Sequence, residues 1–318
     1  TRHRLFQVQR HARHRRRGVR QEPDRLPGRW LWGGVLWRYF PHFITESVTR
    51  LWALEHLDRN ALDGILFIPK KPDIADPLAR WHRDFMALLG HGDLPIREAL
   101  VPCRPDRLIV PGQGFGLGEI SRGTDRFIAA FALNFACDIA AEGPEKLYIS
   151  RSRLGSERGA LLGETFLERH LEAQGYEIFH PQAHPLAVQV ARYKAARKVV
   201  AAEGSALHFF AFVGRPHQEV AMILRRRSGA TRHISTHLES FTGRAPLWVE
   251  SLRRTWRRTD TDRKRMWIGE PDFAALHRQL VEGGFIDNGP PWPQPDDAAL
   301  REELGPMFEL HDETPAAS

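Results

Sequence analysis

The chain has 318 residues, 42% hydrophobic and 27% charged, the composition of an ordinary folded protein with length for about two domains. Wholesale disorder and a disulfide-stapled miniprotein are excluded: Cys103 and Cys137, with no C-x-x-C motif, build neither a staple framework nor a metal cluster. The formal charge of +7 is local, because residues 1–29 carry ten arginines against Glu22 and Asp24, a net +8 that leaves −1 for everything after them.

Residues 1–29 read as a flexible basic arm. The arm lacks the apolar core of a secretory signal, and the longest apolar stretches, such as 127–141, are interrupted well short of the ~20 residues that span a bilayer. Both points predict a protein made and kept in the cytoplasm. The sequence opens at Thr1 rather than Met, which leaves its natural start open. Near an anionic leaflet each arginine contributes on the order of 1 kcal/mol, so the arm suits peripheral attachment to the inner face of a membrane. A solvated tail or a misassigned start of the reading frame fits it equally.

Residues 28–40 are aromatic, and the Gly33-Gly34 pair predicts a tight turn between two short extended pieces. Pro41 then opens a helix over 42–57, where Phe43, Ile44, Val48, Leu51, Trp52 and Leu54 recur at helical spacing. Segments 65–69 and 108–111 read as short buried strands, and 76–89 and 124–141 as helices, the second capped by Thr124. Gly143-Pro144 breaks the pattern and marks a domain boundary.

Beyond it, strands at 147–150, 176–179 and 199–202 alternate with helices at 156–174 and 185–196. The turn Glu203-Gly204-Ser205 leads into a further helix. Strands separated by helices of about 12 to 19 residues imply right-handed crossovers and a parallel, Rossmann-like sheet. After Arg225 the signal weakens to arginine clusters, helical fragments and a proline-rich coil over 289–295. The expected organisation is therefore the arm, a domain over 30–143, and a second over 144–318 with an irregular C-terminal extension.

Candidate chemistry falls in a few places. His42 and Glu46 project from one face of a helix, with Arg50 a turn further on. They form either a carboxylate–imidazole pair able to take a proton, or a solvated face with a Glu46–Arg50 ion pair. Ser150-Arg151 ends a strand, with Arg153 and Arg158 close behind, where open α/β sheets bind ligands. Such arginines either grip a pyrophosphate or belong to a solvated loop. At Glu203-Gly204-Ser205, glycine admits close approach, helix N–H groups face an anion, and Glu203 is placed for ribose hydroxyls; the alternative is a plain turn capped by Ser205. The glycine-rich run 112–118 misses the dinucleotide spacing at Leu117 and Glu119, and reads as a connecting loop or a cradle for sugar or phosphate. His180, His184, His208 and His217 lack zinc-helix spacing, so no metal is expected.

Segment 41–54 resembles the H-F-x-x-E-x-x-x-R-L-W stretch of bacterial family 61 glycosyltransferases of the capsular-polysaccharide type. Leu147-Tyr-Ile-Ser-Arg151 with Arg158 and Glu164 looks like that family's Y-I-S-R…R…N-E stretch, and 202–207 like its G-x-H-G-A-x-L turn. The three motifs stand in the family's order across residues 28–213, with Glu203 in place of the usual His and Gly163 in place of the usual Asn. The resemblance implies a GT-B fold: two Rossmann-like domains facing a cleft, the acceptor side first and the nucleotide-sugar side second. It implies inverting, metal-independent and cofactor-free transfer of a hexosyl or pentosyl group from a nucleotide-sugar. The acceptor would be a saccharide or lipid-linked saccharide, in capsular or exopolysaccharide synthesis. Glu46 becomes the base and His42 its orienting partner. Ser150, Arg151 and Arg158 hold the diphosphate, and Glu203, Gly204 and Ser205 contact the nucleotide.

Two other classes stay open. One is nucleic-acid binding through the arm, although the body's net −1 and its lack of an aromatic RNA-binding signature point away from it. The other is nucleotide binding without turnover. If the arm is a membrane tether, anionic liposomes co-sediment the full chain at low salt and release it at high salt or when residues 1–29 are deleted. Equal sedimentation with and without the arm rejects that role.

Overall fold

A computed structural model describes residues 22–72, 78, 80–116 and 121–313; most of the basic arm, at 1–21, and part of the glycine-rich loop, at 117–120, lie outside them. Strands β1 (Asp24–Leu36), β2 (Gly64–Pro69), β3 (Ile96–Glu98) and β4 (Cys103–Ile109) form a parallel sheet in the order β3-β2-β1-β4. Residues 24–29, grouped with the arm on charge, already belong to this sheet, where Arg25 pairs with Asp106 at 3.1 Å. The glycine pair does not turn the chain. β1 runs through it with one extra residue between Trp32 and Gly34, and Gly34 takes a left-handed φ of +96°. This is a β-bulge, and the Phe67 ring against Gly33 leaves no space there for a side chain.

The aromatic segment after β1 is not one α-helix. A turn α1 (Phe40–His42) widens into a π-helix (Phe43–Ser47), and a 3₁₀ stretch (Leu51–His56) follows. The cause is local: Ser47 Oγ donates to Val35 O at 2.8 Å and accepts from Trp37 N at 2.9 Å, tying the winding chain back to the end of β1. Helices α2 (Arg80–Leu88) and α3 (Asp125–Asn134) come next. Thr124 caps α3 as expected, accepting from Phe127 N at 3.3 Å. The helix stops short of 141 because Phe135 turns extended and Ala136 takes φ +54°.

The second half alternates β5 (Lys146–Ile149), α4 (Glu164–Ala173), β6 (Glu177–Phe179), α5 (Leu186–Ala195), β7 (Lys198–Ala202), α6 (Ser205–Val213), β8 (Glu219–Ile223), α7 (Ala230–Thr242) and β9 (Leu247–Val249). All five strands are parallel, in the order β6-β5-β7-β8-β9. The two parallel sheets place the chain in the α/β class that the sequence predicts. Helix α4 begins eight residues later than expected because a 3₁₀ turn (Ser156–Arg158) and left-handed Gly163, at φ +73°, precede it. An antiparallel sheet of β10 (Leu252–Arg258), β11 (Ile268–Pro271) and β12 (Phe308–Glu313), with α8 (Phe273–Glu282) and α9 (Asp297–Leu304), follows. The unread arginine clusters find their partners here: Arg253 and Arg254 reach Glu270 and Asp297, and Arg257 reaches Glu309.

The two parallel sheets share a core. Leu31 and Ile65 from the first meet Leu147 and Val199 from the second through a cluster of phenylalanines. Phe85 packs on Phe209 and Phe212, and Phe131 on Phe212 with ring centroids 4.9 Å apart. The other face of the second sheet, with Tyr148, Val200 and Ala221, packs on α4 and α8. Phe212 touches the Phe85 and Phe131 rings of the first half and the Phe241 ring of the second, so F212A should lower unfolding free energy by about 3–5 kcal/mol in urea titration.

Candidate functional site

The chain leaving β1 builds one side of the site. Trp37 stacks on His42 with centroids 4.4 Å apart, and its Nε1 donates to Glu46 Oε2 at 3.0 Å. His42 Nδ1 lies 2.5 Å from Glu46 Oε1. Both carboxylate oxygens thus face ring N–H groups, and Glu46 stays 32% exposed. With Glu46 ionised, Nδ1 carries the proton and His42 Nε2 is the basic nitrogen. Glu46 turns to these rings rather than to Arg50, whose guanidinium lies beneath Gly34, within 3.1 Å of where a Cβ there would stand.

Tyr39 connects this group to the other half. The Arg158 guanidinium sits 5.8 Å over its ring and donates to its hydroxyl at 3.5 Å, while Phe40 packs edge-on against Phe209 of α6. The residues just past β1 therefore meet those past β5 and those in α6.

In the second sheet the chain order places β6 on one side of β5 and β7 on the other. The topological switch point of a parallel α/β sheet, where a crevice opens at the strands' carboxyl ends, is there. Arg151 follows β5 at this point, and Glu203-Gly204 follow β7. Arg151 Nη2 donates to the carbonyls of Arg158 (2.9 Å) and Gly159 (3.0 Å), and its own N donates to Glu164 Oε1 at 2.7 Å. Its guanidinium lies against Gly204, where a Cβ would stand 2.6 Å from Nη1, so a larger residue there would displace the Arg151 side chain; the backbone is extended there. Burial holds Arg151 below the usual arginine range.

Two arginines that sequence reasoning left among the unread clusters complete this group. Arg225, 3% exposed, donates from Nε to Glu203 O at 3.0 Å and from Nη1 to Trp267 O at 3.2 Å. Burial, then repulsion from Arg151 and Arg226, lowers its pKa to about 9. Arg226 places both Nε and Nη2 3.0 Å from Glu203 Oε1. The available signal was their position immediately after β8, the next strand of the same sheet.

Two predicted donor contacts are turned inward. Ser150 is buried, and its Oγ reaches Glu168 Oε1 at 2.5 Å and Ser152 Oγ at 3.2 Å, facing an acid cluster beneath the strand end. Glu203 is fully buried and paired with Arg226, so its carboxylate acts as a counterion within the arginines and is not presented to ribose hydroxyls. Ser205 does not cap α6; Gly204 holds the cap position and Ser205 is the first helical residue. Arg158 is exposed, as is Arg153. The glycine-rich loop docks on the first half, with Gly114 N bonded to Thr49 O and the Trp52 ring against Gly114 Cα.

His208 and His237 share a 2.9 Å contact between their Nδ1 atoms, and burial pushes both towards the neutral form, His208 to about 4. Among the described residues no three His, Cys, Asp or Glu side chains are gathered to hold a metal ion. No helix among them is long and apolar enough to cross a membrane.

Residues 40–221, more than half of the chain, match the sequence model of the family described as Glycosyltransferase 61. The match includes Glu46, Arg151, Arg158 and Glu203, and stops short of Arg225 and Arg226. No curated protein matches the chain.

Beneath Arg151, Tyr148 Oη donates to Glu164 Oε1 at 2.8 Å, and burial raises the Glu164 pKa from 4.5 to about 7. The folded chain therefore keeps a proton that the unfolded chain has lost between those values, and the contribution of Glu164 to stability falls as pH rises from 4.5 to 7. The loss amounts to on the order of 3 kcal/mol. Urea titrations across this range should show that slope in the difference between the native chain and E164Q, the other buried groups contributing to both.

Proposed function

Because the chain belongs to glycosyltransferase family 61, we propose that it moves a sugar from a nucleotide-sugar donor to a saccharide acceptor where the end of β1 meets the β5–β7 switch point. The observation that carries this reading is the Tyr39–Arg158 contact, which joins the Glu46 carboxylate and the arginine group on one side of the molecule. The two parallel sheets then serve as the acceptor and donor halves of a GT-B arrangement.

In this reading Glu46 takes the proton of the acceptor hydroxyl as its oxygen attacks the anomeric carbon from the face opposite the leaving group. The bond from that carbon to the phosphate oxygen breaks, its electron pair leaves on the nucleoside diphosphate, and the configuration inverts. Arg158 and Arg151 stabilise the charge that develops on the departing diphosphate, supported by the N–H groups of α6 beside Gly204 and Ser205. His42 and Trp37 hold the Glu46 carboxylate in one orientation. Ser150 shapes the Arg151 loop through Glu168 and Ser152. A hexosyl or pentosyl donor, a lipid-linked acceptor of a capsular or exported polysaccharide, and attachment to the inner membrane surface through the arm complete the proposal.

The test is sugar transfer by purified protein across a panel of UDP-, GDP- and CMP-sugars. E46Q should lower kcat by roughly 10²–10⁴-fold with donor KM little changed. R158A should raise donor KM. Full turnover in E46Q would remove Glu46 as the base, and nucleotide binding without donor consumption by the native chain would favour a binding protein instead.

A further inference from the structure

We propose that Glu203 and an entering diphosphate are alternative partners of Arg226, so that Arg226 is a further donor-binding residue and Glu203 an internal competitor that sets how tightly the site holds anions. This rests on the transferase reading above and adds to it a residue pair outside the first motif.

The geometry at the ends of β7 and β8 supports the exchange. The two strands are paired through Ala202 and Ile223, and Glu203 N bonds Ile223 O at 2.9 Å, which fixes Glu203 directly beside the chain that leads to Arg226. A guanidinium and a carboxylate pair best through two parallel bonds to two oxygens. Here both Arg226 nitrogens converge on Oε1, while Oε2 is buried without a hydrogen-bond partner. The pair is thus well shielded but incompletely satisfied, and a buried oxygen left in that state is costly.

The charge balance points the same way. Three guanidinium groups surround the Glu203-Gly204 turn, Arg226 on the Glu203 carboxylate, Arg225 on its backbone carbonyl and Arg151 against Gly204, while the Glu164 carboxyl beneath Arg151 is pushed up by burial. Burial lowers the Arg225 pKa most, and Arg151 and Arg226 add to that while Glu203 and Glu164 oppose it. A diphosphate carries several negative charges and oxygens on two centres, so it can engage Arg226 through two bonds and neutralise what one carboxylate does not. A single phosphate offers less of both. Arg226 is 11% exposed, so its guanidinium lies just beneath the surface at the switch-point edge of the sheet.

The experiment is calorimetric titration of the full chain with inorganic pyrophosphate and, separately, orthophosphate. E203Q keeps the shape and one accepting oxygen but removes the competing charge, and it should bind pyrophosphate at least fivefold more tightly than the native chain, with a smaller gain for orthophosphate. R226A alone would strand a buried carboxylate, so the partner variant is E203Q/R226Q, which replaces both members of the ion pair by neutral side chains of similar size. With an unchanged melting temperature, it should lose the gain and bind at least tenfold more weakly than E203Q. Equal pyrophosphate affinity of E203Q and the native chain overturns the exchange, as does a double variant as tight as E203Q, or no binding by any of the three. Donor-dependent sugar transfer by the native chain is measured alongside. Transfer with either of the first two results leaves the transferase reading standing. Its absence counts against that reading, and the pyrophosphate comparison still decides the exchange.

Discussion

Buried guanidinium groups are tolerated only where carbonyls and carboxylates surround them, and the second half of this molecule is arranged around that requirement. Arg225 bonds the carbonyls of Glu203 and Trp267, which ties the end of β7 to the segment leading into β11. The isolated bridge between Leu161 and Gly269 draws the loop after β5 onto that strand. Side chains are excluded at Gly159, where the Arg225 guanidinium passes beside the Arg265 and Trp267 carbonyls, and at Gly269 against the Arg225 carbonyl. The C-terminal antiparallel sheet is therefore part of the site's framework. The segment leading into its strand β11 supplies the Arg265 and Trp267 carbonyls to Arg225.

The first half depends on a different constraint. Its π-helical turn is held by Ser47 against the end of β1, and that turn sets the spacing of Trp37, His42 and Glu46. Tyr39 and Phe40 then face outward from this turn onto Arg158 and Phe209. The phenylalanine core beneath them is common to both sheets.

Much of the second half was legible because hydrophobic strands and helices alternate there at ordinary lengths, and the β5, β6 and β7 segments fall where pattern places them. The first half was less so. Apolar residues at helical spacing over 42–57 describe which side chains are buried, and the π and 3₁₀ winding keeps nearly the same face buried with different hydrogen bonds. The Gly33-Gly34 pair signals unusual backbone, which a bulge satisfies as well as a turn. Glu203 was legible as a residue at a strand end; that it faces Arg226 and not solvent depends on a contact between residues 23 apart in sequence.

By itself the sequence determined the α/β class, the basic arm's charge and the family to which the motifs belong, because these depend on composition, local periodicity and short-range spacing. Only the tertiary structure decided which arginines gather at the sheet edge, that Ser150 and Glu203 turn inward, and that Tyr39 reaches Arg158. Those outcomes follow from strand order and from packing between distant segments, where burial forces each charged group to find its partner, and no local pattern encodes them.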